Sequence, residues 1–290
     1  MKSSNGAWPL KKVFPKNLVL LLLAQFIFLF WNCKNDKGVQ YSFFVAGHVY
    51  GKPRGGELGV YDSLKMRFDL INTYRNMKFG VFTGDIVRSA NEKSWDAIDD
   101  DLKTLKVPVY FSRGNHDGEL SFFEERYGES YKSFITEGDL HIILDSNIGH
   151  WNIEGEQRDF LIRTLMEDSS KVNNIFIYVH HVIWWQGKGF LRPNSRAGMS
   201  EKLTFWTEIA PILNVTNKPV FIFAGDVGAA ANTSYSYERS KNLTLITSGM
   251  GGGVRDNFVI VDILNDSSVQ FHLIALNGGD VHGLGKLKED

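Results

Sequence analysis

Cysteine is almost missing from this sequence of 290 residues: Cys33 stands alone. A single thiol excludes an internal disulfide framework and any cysteine-rich zinc site. Net charge is almost missing too, at -1, which removes bulk attraction to duplex nucleic acid or to anionic lipid. An anionic partner must be held by local groups instead. No acidic residue precedes Asp36, whereas Lys2, Lys11, Lys12 and Lys16 all do. The apolar run from Leu18 to Trp31, broken only by Gln25, has 14 residues, short of the ~20 that a membrane-spanning helix needs. What remains is ordinary for a chain with a real core: 43% hydrophobic and 22% charged residues.

A basic stretch followed by an apolar run of this length reads as a secretory signal. Cys33 lies two residues beyond the run. The arrangement resembles a bacterial lipoprotein signal, in which the cysteine becomes the acylated N-terminus of an exported, membrane-anchored protein. An uncleaved anchor and a plain signal with an incidental cysteine are the competing readings. All three put the folded part outside the cytoplasm. The expected organisation is a signal over residues 1–33, a short linker over 34–40, and one domain over 41–290 with a polar tail from about 278.

Within that domain, Tyr41-Ala46, Phe79-Thr83, Val107-Ser112, Ile175-Val179 and Val220-Ala224 are short, apolar and rich in aromatic or β-branched residues. They read as buried strands. Leu58, Tyr61, Leu64, Met66, Phe68 and Ile71 place helix between the first two. Trp95, Ile98, Leu102 and Leu105 form a helical stripe after the second, and Phe160, Leu161, Thr164 and Leu165 form another before Ile175. Leu140-Leu144, Leu243-Thr247, Phe258-Leu264 and Val269-Leu276 read as further, meandering strands. Two mixed sheets packed face to face and flanked by helices, an α/β/β/α sandwich, satisfy this pattern.

The chemically able residues follow the strands. His48 follows the first, Asp85 the second, and Asn115, His116 and Asp117 the third; His180 and Asp226 follow the two later ones. In open α/β sheets ligands bind beyond the carboxyl ends of strands. Gly47, Gly84, Gly114 and Gly225 each precede one of these residues, where the chain must turn sharply or pass close to a ligand. His180 and His181 are adjacent, and one of the two can be a buried core histidine; the strand-end position favours His180 as the ligand. Arg88 and Arg113 lie near enough in sequence to contact a phosphate.

Phe82-Thr83-Gly84-Asp85, Arg113-Gly114-Asn115-His116-Asp117 and Val179-His180-His181 resemble the second, third and fourth motifs of the calcineurin-like metallophosphoesterases. Asp145-Ser146 with Glu156-Gln157, and Thr247-Ser248-Gly249-Met250-Gly251-Gly252, resemble later stretches of the same family. The resemblance implies a hydrolase of phosphate mono- or diesters that uses divalent metal. It implies that Asp85 bridges two ions, that Asn115 and His180 hold the second, that His48 lies beside the first, and that His116 serves the leaving oxygen with Asp117 orienting it.

Two motifs depart from the family. The first reads Ala46-Gly47-His48, without its aspartate. The fifth reads Gly225-Asp226-Val227-Gly228, without either histidine. Asp226 can replace one as an oxygen ligand, but Gly228 cannot replace the other. The expectation is one well-formed ion site of Asp85, Asn115, His180 and Asp226, and a second that is weak or lost unless Glu57, Asp62 or the substrate recruits an ion. The choice lies among Mn, Fe, Mg and Zn, and the exchange of histidine for Asp226 favours Mn or Mg. Arg88 stands where the purple acid phosphatase branch has a tyrosine, which disfavours an iron-tyrosinate centre. A catalytically impaired relative that binds rather than cleaves is the alternative.

Overall fold

The computed structural model describes residues 38–56, 58–195, 202–229 and 234–277. The expected signal, Cys33, Glu57 and the polar tail lie outside them. Contacts divide the chain at Gly38, and everything below concerns the unit from Val39 onward. No helix among the described residues is long and apolar enough to cross a membrane.

Among the described residues, eleven strands form two sheets. The first has the order β11 (Val269–Ala275), β10 (Asn257–Leu264), β1 (Val39–Ala46), β2 (Met77–Thr83), β3 (Val109–Ser112). The second runs β4 (Lys132–Thr136), β5 (Asp139–Ile143), β6 (Ile175–Val179), β7 (Val220–Ala224), β9 (Leu243–Ser248), β8 (Tyr235–Ser240). β1, β2 and β3 are parallel, as are β5, β6, β7 and β9. The parallel strands therefore end on the same edge within each sheet.

Alternation of side chains decides the layering. Tyr41, Phe43 and Val45 of β1 pack with Phe176, Tyr178, Phe221 and Phe223 of the second sheet in a layer between the sheets. Phe43 lies 5.1 Å from both Phe79 and Phe176, ring centre to ring centre. Phe44 and Ala46 face the other way, onto Leu64, Phe68, Ile71, Trp95, Ile98 and Phe123. Ile175, Ile177, Val220 and Ile222 face outward onto Leu161, Leu165, Ile209 and Leu213. Three apolar layers separate four layers of structure, so the expected α/β/β/α sandwich is what forms.

The helices are α1 (Asp62–Lys65), α2 (Phe68–Thr73), α3 (Glu92–Leu102), α4 (Leu120–Tyr127), α5 (Gly155–Asp168) and α6 (Ala210–Asn214), the last preceded by a wide turn over Phe205–Ile209. Asn91 starts α3 by accepting from Ser94 N at 3.0 Å. The single helix expected between β1 and β2 is two short ones. The last strands do not meander in one sheet either: β9 lies beside β7, whereas β10 and β11 join the first sheet against β1. Apolar periodicity marks a strand but not its sheet.

Candidate metal centre

Asp85 and His48 leave their strands in the left-handed region, with φ of 51° and 53°. This backbone region is uncommon for residues with a Cβ and is stored most often at functional sites. The strand ends meet closely here. A Cβ on Gly225 would stand 2.0 Å from Thr83 O, and one on Gly47 would stand 2.3 Å from Gly225 Cα and from Ser248 O. Only glycine lets the ends of β1, β2, β7 and β9, which belong to two sheets, come together.

His180 is the hub. Its Nδ1 pairs with Thr83 O at 2.9 Å, which turns Nε2 toward the strand ends. Around Nε2 stand Asn115 Oδ1 at 3.1 Å, Asp85 Oδ1 at 3.2 Å and Asp226 Oδ1 at 3.9 Å. Donors bound at about 2.1 Å to a small divalent ion are about 3 Å apart at neighbouring octahedral positions. Asp226 Oδ1 is buried and has no hydrogen-bond donor among the described residues. A carboxylate oxygen left unpaired away from water is costly unless a cation meets it. The set of three oxygens and one imidazole nitrogen fits one hard or borderline divalent ion.

Burial works against charge on His180, but Asp85 and Asp226 outweigh it and hold its pKa above the ordinary value. Burial, reinforced by Asp85 and opposed by His180, pushes Asp226 up to about 7. Both directions follow from two buried carboxylates set against one imidazole.

The other oxygen of Asp85, Oδ2, faces away from this group and toward His48 Nε2 at 3.5 Å. Burial lowers His48 to about 4 despite Asp85, so the ring is neutral near pH 7. Asp85 thus has the two-sided placement of a bridging carboxylate, but its second side has far fewer donors. Gly228 has φ +102°, and a Cβ there would stand 2.8 Å from Met250 N. No side chain can enter from that position. Asp62, one recruit considered for a second ion, pairs with Lys65 at 2.9 Å on the surface. Among the described residues, His48 and Asp85 Oδ2 alone do not make up a second ion site.

Three expected roles change. Asp117 does not orient His116. It is fully buried, and its oxygens accept from Ile86 N, Val87 N and Gly114 N at 2.8, 3.1 and 2.7 Å. It ties the loop after β2 to the loop after β3. The His116 ring is held instead by the carbonyl of Arg88, 2.7 Å from Nδ1. Arg113 is committed to Asp145, with Nε 2.7 Å from Oδ2, and to Gly118 O. The Arg88 guanidinium donates to Lys52 O and Gly55 O. Neither arginine is placed as a free phosphate clamp.

The site also contains one residue that the sequence set behind its neighbour and two that it did not mark. His181, His180 and Asp226 offer ligand atoms within 4.8 Å of one another. His181 is held by Ser146 Oγ at 2.9 Å and by stacking on Trp151 at 4.5 Å. Burial, then His180 and Arg113, keep its pKa well below the ordinary range, as a neutral ligand requires. The adjacency of two histidines was its signal. Tyr50 stands 4.3 Å from the His48 ring and 5.2 Å from the His116 ring. Ser195 N reaches Asp226 Oδ2 at 3.2 Å. No motif marks either residue.

The model of the calcineurin-like phosphoesterase family matches residues 48–249. The chain belongs to that family. Among solved structures it is similar in fold to a purple acid phosphatase from yellow lupin (Lupinus luteus) seeds. That match has a TM-score of 0.58 and 14% identity, over 87% of this chain and 53% of that one. It also matches a putative 5'-nucleotidase from Staphylococcus aureus, with a TM-score of 0.45 and 16% identity, over 83% of this chain and 55% of that one. The chain spans about half the length of each. No curated protein matches it. Members of this phosphoesterase family use divalent metal, and the His180, His181 and Asp226 group can hold such an ion.

Proposed function

We propose that the chain hydrolyses phosphate mono- or diesters with one divalent ion, Mn or Mg by preference, held by Asp85, Asn115, His180 and Asp226, with His181 as a further candidate ligand. The observation that carries this reading is the unpaired, buried Asp226 Oδ1 facing His180 Nε2 and two further oxygens. Such an ion neutralises phosphate charge and lowers the pKa of water.

The chain's own residues do the rest. Thr83 O fixes the His180 ring through Nδ1. His116 N donates to Asp85 Oδ1 at 3.1 Å and holds that carboxylate in place. The Arg88 carbonyl accepts from His116 Nδ1–H and turns the other ring nitrogen outward, so the imidazolium form of His116 can give its Nε2 proton to a leaving oxygen and end as the neutral ring. His48 and Tyr50 border the weaker side of Asp85. The basic start, the apolar run and Cys33 support an exported, lipid-anchored protein, which would meet phosphoesters of the cell envelope or its surroundings. Replacing Cys33 with Ser should release a lipoprotein from the membrane; retention would sink that assignment.

A second reading, a binding protein that has lost the chemistry, is favoured by the closed backbone at Gly228. Elemental analysis and hydrolysis of bis(p-nitrophenyl) phosphate with added Mn separate the two. The hydrolase reading expects one ion per chain and turnover lost in His116→Ala. Absence of both metal and turnover, with His116→Ala indistinguishable from wild type, favours the binding protein.

A further inference from the structure

Beside the His48 half of the site lies a pocket of about 430 Å³ lined by Lys52, Pro53, Arg54, Ala229, Gly251 and Gly252. Its walls continue from the candidate centre. One is the loop that leaves His48, and the other joins the segment after Asp226 to the glycine-rich turn after β9.

Both walls are braced. Gly55 N donates to Lys52 O at 3.1 Å, and the Arg88 guanidinium donates to Lys52 O and Gly55 O from three residues beyond Asp85. The same guanidinium lies over the Tyr50 ring at 5.3 Å. Opposite, Asp256 accepts from the N–H groups of Gly251, Gly252 and Gly253 at 3.0, 2.7 and 3.1 Å, so its charge is spent on its own turn. The Lys52 stem lies across Gly252, where a Cβ would stand 2.6 Å from Lys52 Cγ. The described lining thus carries two cations and no carboxylate.

This positive rim is carried by the loop that leaves His48, whose Tyr50 N donates to Asp85 O at 3.1 Å. Cations set on a braced loop beside a phosphoester site recognise anionic groups through charge-assisted hydrogen bonds. We propose that Lys52 and Arg54 form an anion subsite that takes a second phosphate of the substrate. The preferred substrates are then phosphoesters carrying a phosphate or diphosphate next to the scissile ester, rather than singly charged diesters. This substrate class rests on the hydrolase reading; the anion subsite itself does not.

Titration calorimetry with inorganic pyrophosphate on the metal-stripped full chain tests the subsite. Without metal, Asp85 and Asp226 repel anions, so affinity reads the rim alone. Wild type should bind, and Lys52→Ala/Arg54→Ala should bind at least about tenfold more weakly at an unchanged melting temperature. Lys52→Glu should weaken binding further than Lys52→Ala. Absence of binding by wild type, or equal binding by the double variant, overturns the subsite. Hydrolysis with Mn of p-nitrophenyl diphosphate, which carries the second phosphate, and of bis(p-nitrophenyl) phosphate reads the parent proposal separately, turnover meaning cleavage of either. Pyrophosphate binding without turnover leaves the subsite standing and sinks the hydrolase, and turnover without pyrophosphate binding does the reverse.

Discussion

Two buried groupings of aspartate and histidine lie in this fold, and they differ in one respect. In the layer between the sheets, Asp139 accepts from Tyr41 Oη at 2.8 Å and from Asn174 N and Nδ2 at 3.0 and 2.9 Å. His141 has Tyr178 Oη at 2.9 Å and Tyr41 Oη at 3.2 Å, and burial lowers its pKa to about 3. Every polar atom there has a partner. At the strand ends, Asp226 Oδ1 has none, and three oxygens crowd one imidazole nitrogen. Residue type and burial are shared, so neither marks a ligand site. Unfilled hydrogen-bonding capacity does.

The comparison breaks most visibly in stability. Asp139→Ala takes the carboxylate acceptor from Tyr41 Oη and Asn174 N, while Asn174 Nδ2 keeps Ser267 O, and should cost roughly 3–5 kcal/mol, measured by urea unfolding, with metal content unchanged. A loss of metal in that variant would undo the division. His180→Ala should act the other way, weakening metal binding by more than about 100-fold with a far smaller effect on unfolding of the stripped protein; calorimetry with Mn checks it.

Asp226 supplies a signed test. Its folded pKa of about 7 lies above the unfolded 3.8, so a metal-free fold is favoured at low pH and loses that advantage as pH rises through about 7. Asp226→Asn should therefore stabilise the stripped protein at pH 8, by at most about 4 kcal/mol, while abolishing stabilisation by Mn. A variant less stable than wild type under those conditions would place Asp226 with the satisfied cluster. The smallest effect is expected at His48: His48→Ala should lower kcat about tenfold and keep one ion per chain.

Much of this was legible in the sequence. Strands β1, β2, β6 and β7 are apolar enough to read directly, because both of their faces are buried. β4 and β8 escaped notice because edge strands carry polar residues such as Lys132, Ser133, Glu238 and Arg239. Position in the chain placed Asp85, Asn115, His180 and Asp226 at one edge, and the structure brings them together. Partnership was not legible. That Arg113 belongs to Asp145, or that Asp117 serves backbone N–H groups, depends on contacts between residues 32 apart or on a turn's own shape. The split of Asp85 between two neighbourhoods is likewise a matter of geometry.

Gly228 carries a lesson for anyone who would rebuild the missing half. With φ at +102° and Met250 against it, the loop has settled around the loss. A single reversion to histidine would add a side chain to a backbone that no longer has a direction for it. The route back runs through re-shaping two loops together, the one after β7 and the one after β9. Grafting ligands onto this chain is therefore a problem of main-chain architecture first and of residue identity second.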